Sequence, residues 1–218
     1  MAFMNPPSDA ETLSMWEHTD ETSREVDEYI KNHPLAKSLR ANPNYVESIP
    51  HMKIPESYRN KSLTGGTLIG NTKFPVPPRS FSERGGKSLI QIQYLGSDLC
   101  GHPGIVHGGL LATMLDEGLA RCCFDALPNK VAMTANLNIN YRRPAVSGGY
   151  YVLRARTTKI EGRKAWVEGH IENLTQNGEE RVIYADAVGL FIEPRNTGML
   201  GMSKKAADKS GTQPATAG

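Results

Sequence analysis

The stretch CGHPGIVHGGLLATMLDEG, Cys100 to Gly118, joins a histidine and two glycines to an apolar run that carries two acids in its far half. Leu111, Met114, Leu115, Leu119 and Cys122 recur at steps of three and four residues, which predicts a helix from Gly108 to about Phe124. The two glycines stand where the first backbone N–H groups of that helix have no partner within it. Without side chains they let a ligand oxygen approach, and the positive end of the helix dipole lies there. Such an end can polarise a carbonyl and stabilise the oxyanion formed on attack. His107 can donate to the same oxygen or orient a glycine peptide. The residues alone fit tight packing with a satisfied histidine equally well.

The acids ask for different accounts. Asp is a poor residue for a helix interior, because its short side chain competes for backbone hydrogen bonds. One turn either side of Asp116 lie Ala112, Thr113, Leu119 and Ala120, and a further turn back lies Gly109. That mostly small row leaves room beside the carboxylate for another backbone or a substrate. A catalytic acid and a surface acid both satisfy the pattern. Glu117 has Arg121 four residues on, in the favourable acid-then-base order, and is assigned a structural role.

Working outward, Lys87 to Gly96 reads as a strand bounded by glycines, and four more strands follow the helix: Val131 to Tyr141, Tyr150 to Ile160, Lys164 to Asn173 and Arg181 to Ile192. PAVSGG, EGR and TQNGEE between them read as hairpin punctuation. The expected fold is α+β, with one long helix against a curved antiparallel sheet whose last four strands form a meander. In VAMTANLNINYRRP, Val131, Met133, Ala135, Leu137, Ile139 and Tyr141 alternate with Ala132, Thr134, Asn136, Asn138 and Asn140. The polar set suits either solvent or a wet cleft.

Ahead of this domain, Glu21 to Arg40 predicts one or two short helices interrupted near Pro34. From Asn42 to Arg84 the chain is rich in Pro, Gly, Ser and Asn, with FPVPPRSF its stiffest part, and is expected to lie as an irregular segment across the surface. The division is a 1–84 N-terminal extension, an 85–195 domain and a 196–218 tail that is small, polar and expected to be disordered. RGGKS, Arg84 to Ser88, is not a phosphate loop, since Phe81 stands where the first glycine belongs and a strand follows instead of a helix.

Lys and Arg total 25 against 23 Asp and Glu in 218 residues. No basic field is available for a phosphate backbone, so nucleic acid is not an expected partner. Three cysteines, two adjacent at Cys122 and Cys123, make neither a disulfide framework nor zinc spacing. The N-terminus lacks the apolar core of a signal peptide and is too acidic for a typical Arg-rich transit peptide, and no run approaches the roughly 18 apolar residues of a spanning helix. A soluble intracellular protein is expected, with the sequons at Asn60 and Asn173 chance matches.

HPGIVHGGLLATMLDEG, MTANLNINYRRP and EGRKAWVEG together resemble the hot-dog fold acyl-CoA thioesterases, in the phenylacetate-type branch that includes the animal thioesterase superfamily members of mitochondria. The likeness runs roughly from Leu89 to Pro194. It implies a hot-dog fold and hydrolysis of an acyl-CoA to free acid and CoA, without cofactor or metal. By resemblance, the Gly108 N–H is the oxyanion donor with His107 nearby, and Asp116, from the facing subunit, is nucleophile or general base. Thr134 would hold that carboxylate or the water. Gly109 and Asn136 complete the expected substrate contacts, and Arg143, Arg163 and Lys164, together with Arg142, are available for the nucleotide end of CoA. A homodimer or dimer of dimers is implied. The loop FDALPNK is longer than in the animal members, and the N-terminus carries no clear transit peptide. The expected address is therefore cytoplasmic, with mitochondrial the alternative. Two other readings compete: a hot-dog hydratase or dehydratase, disfavoured because the histidine precedes the acid, and a non-catalytic acyl-CoA sensor.

Overall fold

The structure, a computed structural model, describes residues 6–176 and 178–195. Its centre is helix α3, Gly108–Cys123, which lies against the inner face of one antiparallel sheet. Leu111, Leu115, Leu119 and Cys122 of the three-and-four pattern are buried in the core between helix and sheet. Gly118 marks their closest approach, since a Cβ there would fall 2.6 Å from both methyls of Leu153. The hot-dog arrangement, a long helix wrapped by a curved sheet, is present.

The sheet has seven strands: β1 Tyr45–Ser48, β2 Arg79–Glu83, β3 Ser88–Leu95, β4 Met133–Tyr141, β5 Gly149–Glu161, β6 Lys164–Asn173 and β7 Ile183–Ile192, in the order β1-β2-β3-β5-β6-β7-β4. The five strands read from sequence are all present. Their expected four-strand meander is not: β5, β6 and β7 form one, but β4 pairs with β7 at the far edge. PAVSGG is a crossover. Its backbone bonds to the segment before the helix, Val106 N–H donating to Ala145 O at 2.8 Å and Ser147 N–H to Gly104 O at 3.0 Å. That docking carries the chain from one edge of the sheet to the middle instead of turning it back.

The expectation of an irregular surface segment over residues 42–84 is also corrected. Two of its stretches are β1 and β2, which extend the sheet beyond β3 with Phe81 opposite Ile90. Phe74, Val76 and Phe81 of FPVPPRSF are buried. The prolines that masked the strand come just before it, where no ladder hydrogen bond is needed. RGGKS forms the β2–β3 turn, with Gly85 at φ 78° and Gly86 at φ 68°, a left-handed conformation that favours glycine.

Helices α1, Glu21–Asn32, and α2, Pro34–Ala41, match the reading around Pro34, which opens α2 behind the His33 cap. Val26, Ile30, Ala36 and Leu39 pack on the outer face of the sheet against Phe81, Ile90, Ile92 and Val152, making a second core. Beside it, buried Arg79 bridges Asp27 at 2.6 Å and Glu47 at 2.9 Å. The expected tail, 196–218, lies outside the described residues. Among those described, no helix is long and apolar enough to cross a membrane.

Candidate active site

Two places on α3 hold the residues expected to carry chemistry. At its start, His107 is the cap: its Nδ1 accepts from the Gly109 N–H at 2.9 Å. That bond takes the Gly109 donor and leaves the Gly108 N–H without a hydrogen bond among the described residues. The Tyr141 hydroxyl donates to the Gly108 carbonyl at 3.0 Å, holding the next peptide, Gly108–Gly109, from β4. Gly108 is half-buried and its neighbour His107 is exposed, so the free N–H stands at an accessible helix end.

Two turns on, Asp116 is half-buried, and Thr134 Oγ1 donates to its Oδ1 at 2.7 Å. The Oδ2 atom keeps its lone pairs free among the described residues. Thr134 reaches the helix because β4 is bulged. The register against β7 shifts between Thr134 and Asn136, so the strict alternation expected for this strand is broken. The bulge puts Thr134 on the inner face with Leu137, Ile139 and Tyr141, and turns Asn136 and Asn138 to the outer face opposite Leu190 and Val188.

Gly108 and Asp116 are eight residues apart, about 12 Å along the helix axis at 1.5 Å per residue. One carbonyl carbon cannot be reached by both within one protomer. The other expected contacts spread further. Arg143 follows the end of β4 near the helix start and is exposed, whereas Arg142 is committed to an ion pair with Asp186. Arg163 donates to the Glu193 carbonyl at 2.6 Å, and Lys164 is exposed beside it at the β5–β6 turn, toward the Asp116 end. Asn136 is not brought to the Asp116 side.

Glu117 departs from its expected pairing with Arg121. No ion pair joins them among the described residues. Its carboxylate accepts instead from Thr64 Oγ1 at 2.8 and 3.0 Å, with His51 Nε2 3.8 Å away. Burial pushes the Glu117 carboxyl up, against the Thr64 hydrogen bond and the Arg121 charge that pull it down. Thr64 is 53 positions distant in the chain, and no local pattern announces the contact. Tyr141, by contrast, belongs to the alternating set of β4 that includes Leu137 and Ile139, and the sequence assigns it no role.

Comparison with known proteins adds the family. Residues 103–179 match the model described as Thioesterase superfamily, a window that contains His107, Gly108, Asp116 and Thr134. A UPF0644 protein of Schizosaccharomyces pombe is 35% identical over 182 residues, covering 82% of this chain and 70% of its own. An uncharacterized protein of the same yeast is 37% identical over 162 residues, 74% of this chain and 89% of its own. Residues 103–179 of the chain belong to the thioesterase superfamily. Within that superfamily, acyl-coenzyme A thioesterase THEM4 of Bos taurus is 39% identical over 113 residues, 52% of this chain and 44% of its own. Thioesterase superfamily member 2 from Mus musculus, a solved structure, is 22% identical with a TM-score of 0.42, over 50% of this chain and 76% of that one. The 182-residue match to the UPF0644 protein of Schizosaccharomyces pombe is longer than residues 85–218 together, so it reaches into the first 84 residues. A relative from Candida albicans, 29% identical over 77% of this chain and 76% of its own, bears a mitochondrial name.

Proposed function

We propose that this thioesterase superfamily member hydrolyses an acyl-CoA thioester to a free acid and CoA, at a site built by two copies of the chain. The observation that carries the reading is the Thr134–Asp116 hydrogen bond on a helix whose start offers a free Gly108 N–H. The thioester carbonyl oxygen accepts from the Gly108 N–H of one subunit, where the helix dipole supports the developing negative charge. Asp116 of the other subunit acts through its free Oδ2. It either takes a proton from the water that attacks the carbonyl carbon or attacks that carbon itself, giving an acyl-aspartate that water then opens. The carbon–sulfur bond breaks with its electron pair on sulfur, and CoA leaves as a thiolate that takes a proton from solvent. Thr134 holds Oδ1 and so aims Oδ2. His107 acts through the Gly109 peptide that it orients.

The 12 Å gap along α3 is the reason for a second copy, and β4 supplies an edge for it. As the end strand of the sheet it leaves Met133 and Tyr141 55% and 56% exposed. Open strand edges of this kind pair readily. Arg143, without a side-chain partner among the described residues, is the choice for the nucleotide end of CoA. Relatives with mitochondrial names support the mitochondrial address over the cytoplasmic one.

The test is release of free thiol from a panel of acyl-CoAs, from acetyl to palmitoyl with aromatic acyl groups included, for wild type and Asp116→Ala of equal oligomeric state. Turnover of one acyl class that Asp116→Ala loses supports the reading. Binding of acyl-CoA without thiol release from any member of the panel rejects it in favour of the sensor.

A further inference from the structure

Under α3, on the side toward β3, lies a chamber of about 10 Å³, room for a single water molecule. Its walls mix apolar Phe74, Pro78 and Met114 with His51, Thr64, Gln93 and Glu117, and with Gln91, whose amide donates to Ser80 Oγ at 2.8 Å. His51 and Gln93 are only 2% and 7% exposed. Even so, His51 Nδ1 and Gln93 Oε1 have no hydrogen-bond partner among the described residues. Polar atoms buried in that state are costly, and orphaned ones on two residues that line one small chamber call for a partner there.

The protons around the chamber define that partner. Thr64 has one hydroxyl proton and gives it to Glu117, so Thr64 must accept from His51 Nε2, 3.0 Å away. Burial, with the Arg121 and Arg59 charges, drives the His51 pKa down to about 3 and keeps the ring neutral. The proton on Nε2 therefore leaves Nδ1 as a bare acceptor, and Gln93 Oε1 is an acceptor as well. Both atoms accept, so the partner they call for is a donor of hydrogen bonds about the size of one oxygen atom. Water meets both demands. It also survives the reverse state: if Glu117 takes up a proton, Glu117 donates to Thr64, Thr64 to His51 Nε2, and the ring proton moves to Nδ1. A water then accepts from Nδ1 and still donates to Gln93.

We propose that this chamber is the binding site of one ordered water, which completes a relay Glu117–Thr64–His51–water–Gln93. The relay fastens the 50–67 segment to the helix that carries Asp116. Neither the site nor its test depends on acyl-CoA hydrolysis.

A crystal structure of the full chain, at a resolution that places waters, is the direct test. The expected result is a single water within hydrogen-bond distance of His51 Nδ1 and Gln93 Oε1. An empty chamber, or rotated side chains that pair His51 with Gln93 directly, overturns the proposal. Thermal unfolding gives an independent reading. Gln93→Leu should lower the midpoint by about 2–4 °C, and the same substitution should cost much less in a His51→Phe background, where the water has already lost its site. Losses that simply add would contradict a shared water.

Discussion

Asp116 sits in a helix interior because something other than helix propensity holds it there. Thr134 is that partner, through a 2.7 Å bond from a strand eighteen positions further along the chain. The sequence made Asp116 conspicuous and, by resemblance, named Thr134. It hid the geometry that joins them, since strict alternation puts Thr134 with Asn136 and only the bulge at Ala135 separates the two. At this scale three outcomes are expected. Thr134→Val, which frees Oδ1 of its donor, should lower kcat/KM about tenfold or more with little change in KM, the loss of one hydrogen bond to a charged group. Asp116→Asn should lower it roughly a hundred- to ten-thousand-fold, the range for a general base. Gly108→Ala separates chemistry from folding: the added Cβ meets nothing nearer than the Tyr141 ring at 3.4 Å. Its thermal midpoint should stay near that of wild type while steady-state kinetics show a loss of roughly tenfold or more, because the methyl crowds the oxyanion donor.

Among the elements, those with a strong period were legible. The helix read as Gly108 to about Phe124 ends at Cys123, and Lys164–Asn173 is a strand over the range read from sequence. β1 and β2 were not legible, because each is short and their partners are set by tertiary pairing and not by local propensity. The same holds for β4, whose place beside β7 depends on where the PAVSGG crossover docks. The ion cluster that binds α1 and α2 to the sheet makes a prediction at this scale. Burial pushes the Asp27 carboxyl up, but hydrogen bonds from Lys31 and Arg79 outweigh it and hold the pKa below its usual 3.8; Glu47, with Arg40 and Arg79, is likewise held below 4.5. A carboxyl whose pKa is lowered by folding contributes stability above its unfolded value and loses it as the pH falls through the folded value. Urea unfolding should therefore show full stability from these groups above about pH 5 and a progressive loss below about pH 4, as unfolded-state carboxylates protonate first. Arg79→Met should cost roughly 3 kcal/mol at neutral pH, since it strands two buried carboxylates that Lys31 and Arg40 compensate only in part. It should also flatten the acid dependence.

The whole molecule is a hot-dog domain with its sheet extended by β1 and β2 and its outer face half covered by α1 and α2. Composition and charge gave no expectation of a nucleic-acid partner, but nothing in one chain's sequence displays a surface shared with a second copy. The case for that copy is the axial separation of Gly108 from Asp116. Sedimentation at micromolar concentration should give a dimer or a multiple of it.

The most direct measurement joins two inactive chains. Asp116→Asn and Gly108→Val, each silent as a homo-oligomer, are co-expressed with different tags and the mixed dimer is purified. One of its two sites then combines an intact Gly108 from one subunit with an intact Asp116 from the other. The account expects thiol release from acyl-CoA at about half the wild-type rate per dimer, as two-fold symmetry requires. A mixed dimer as silent as its parents would contradict a site shared between subunits.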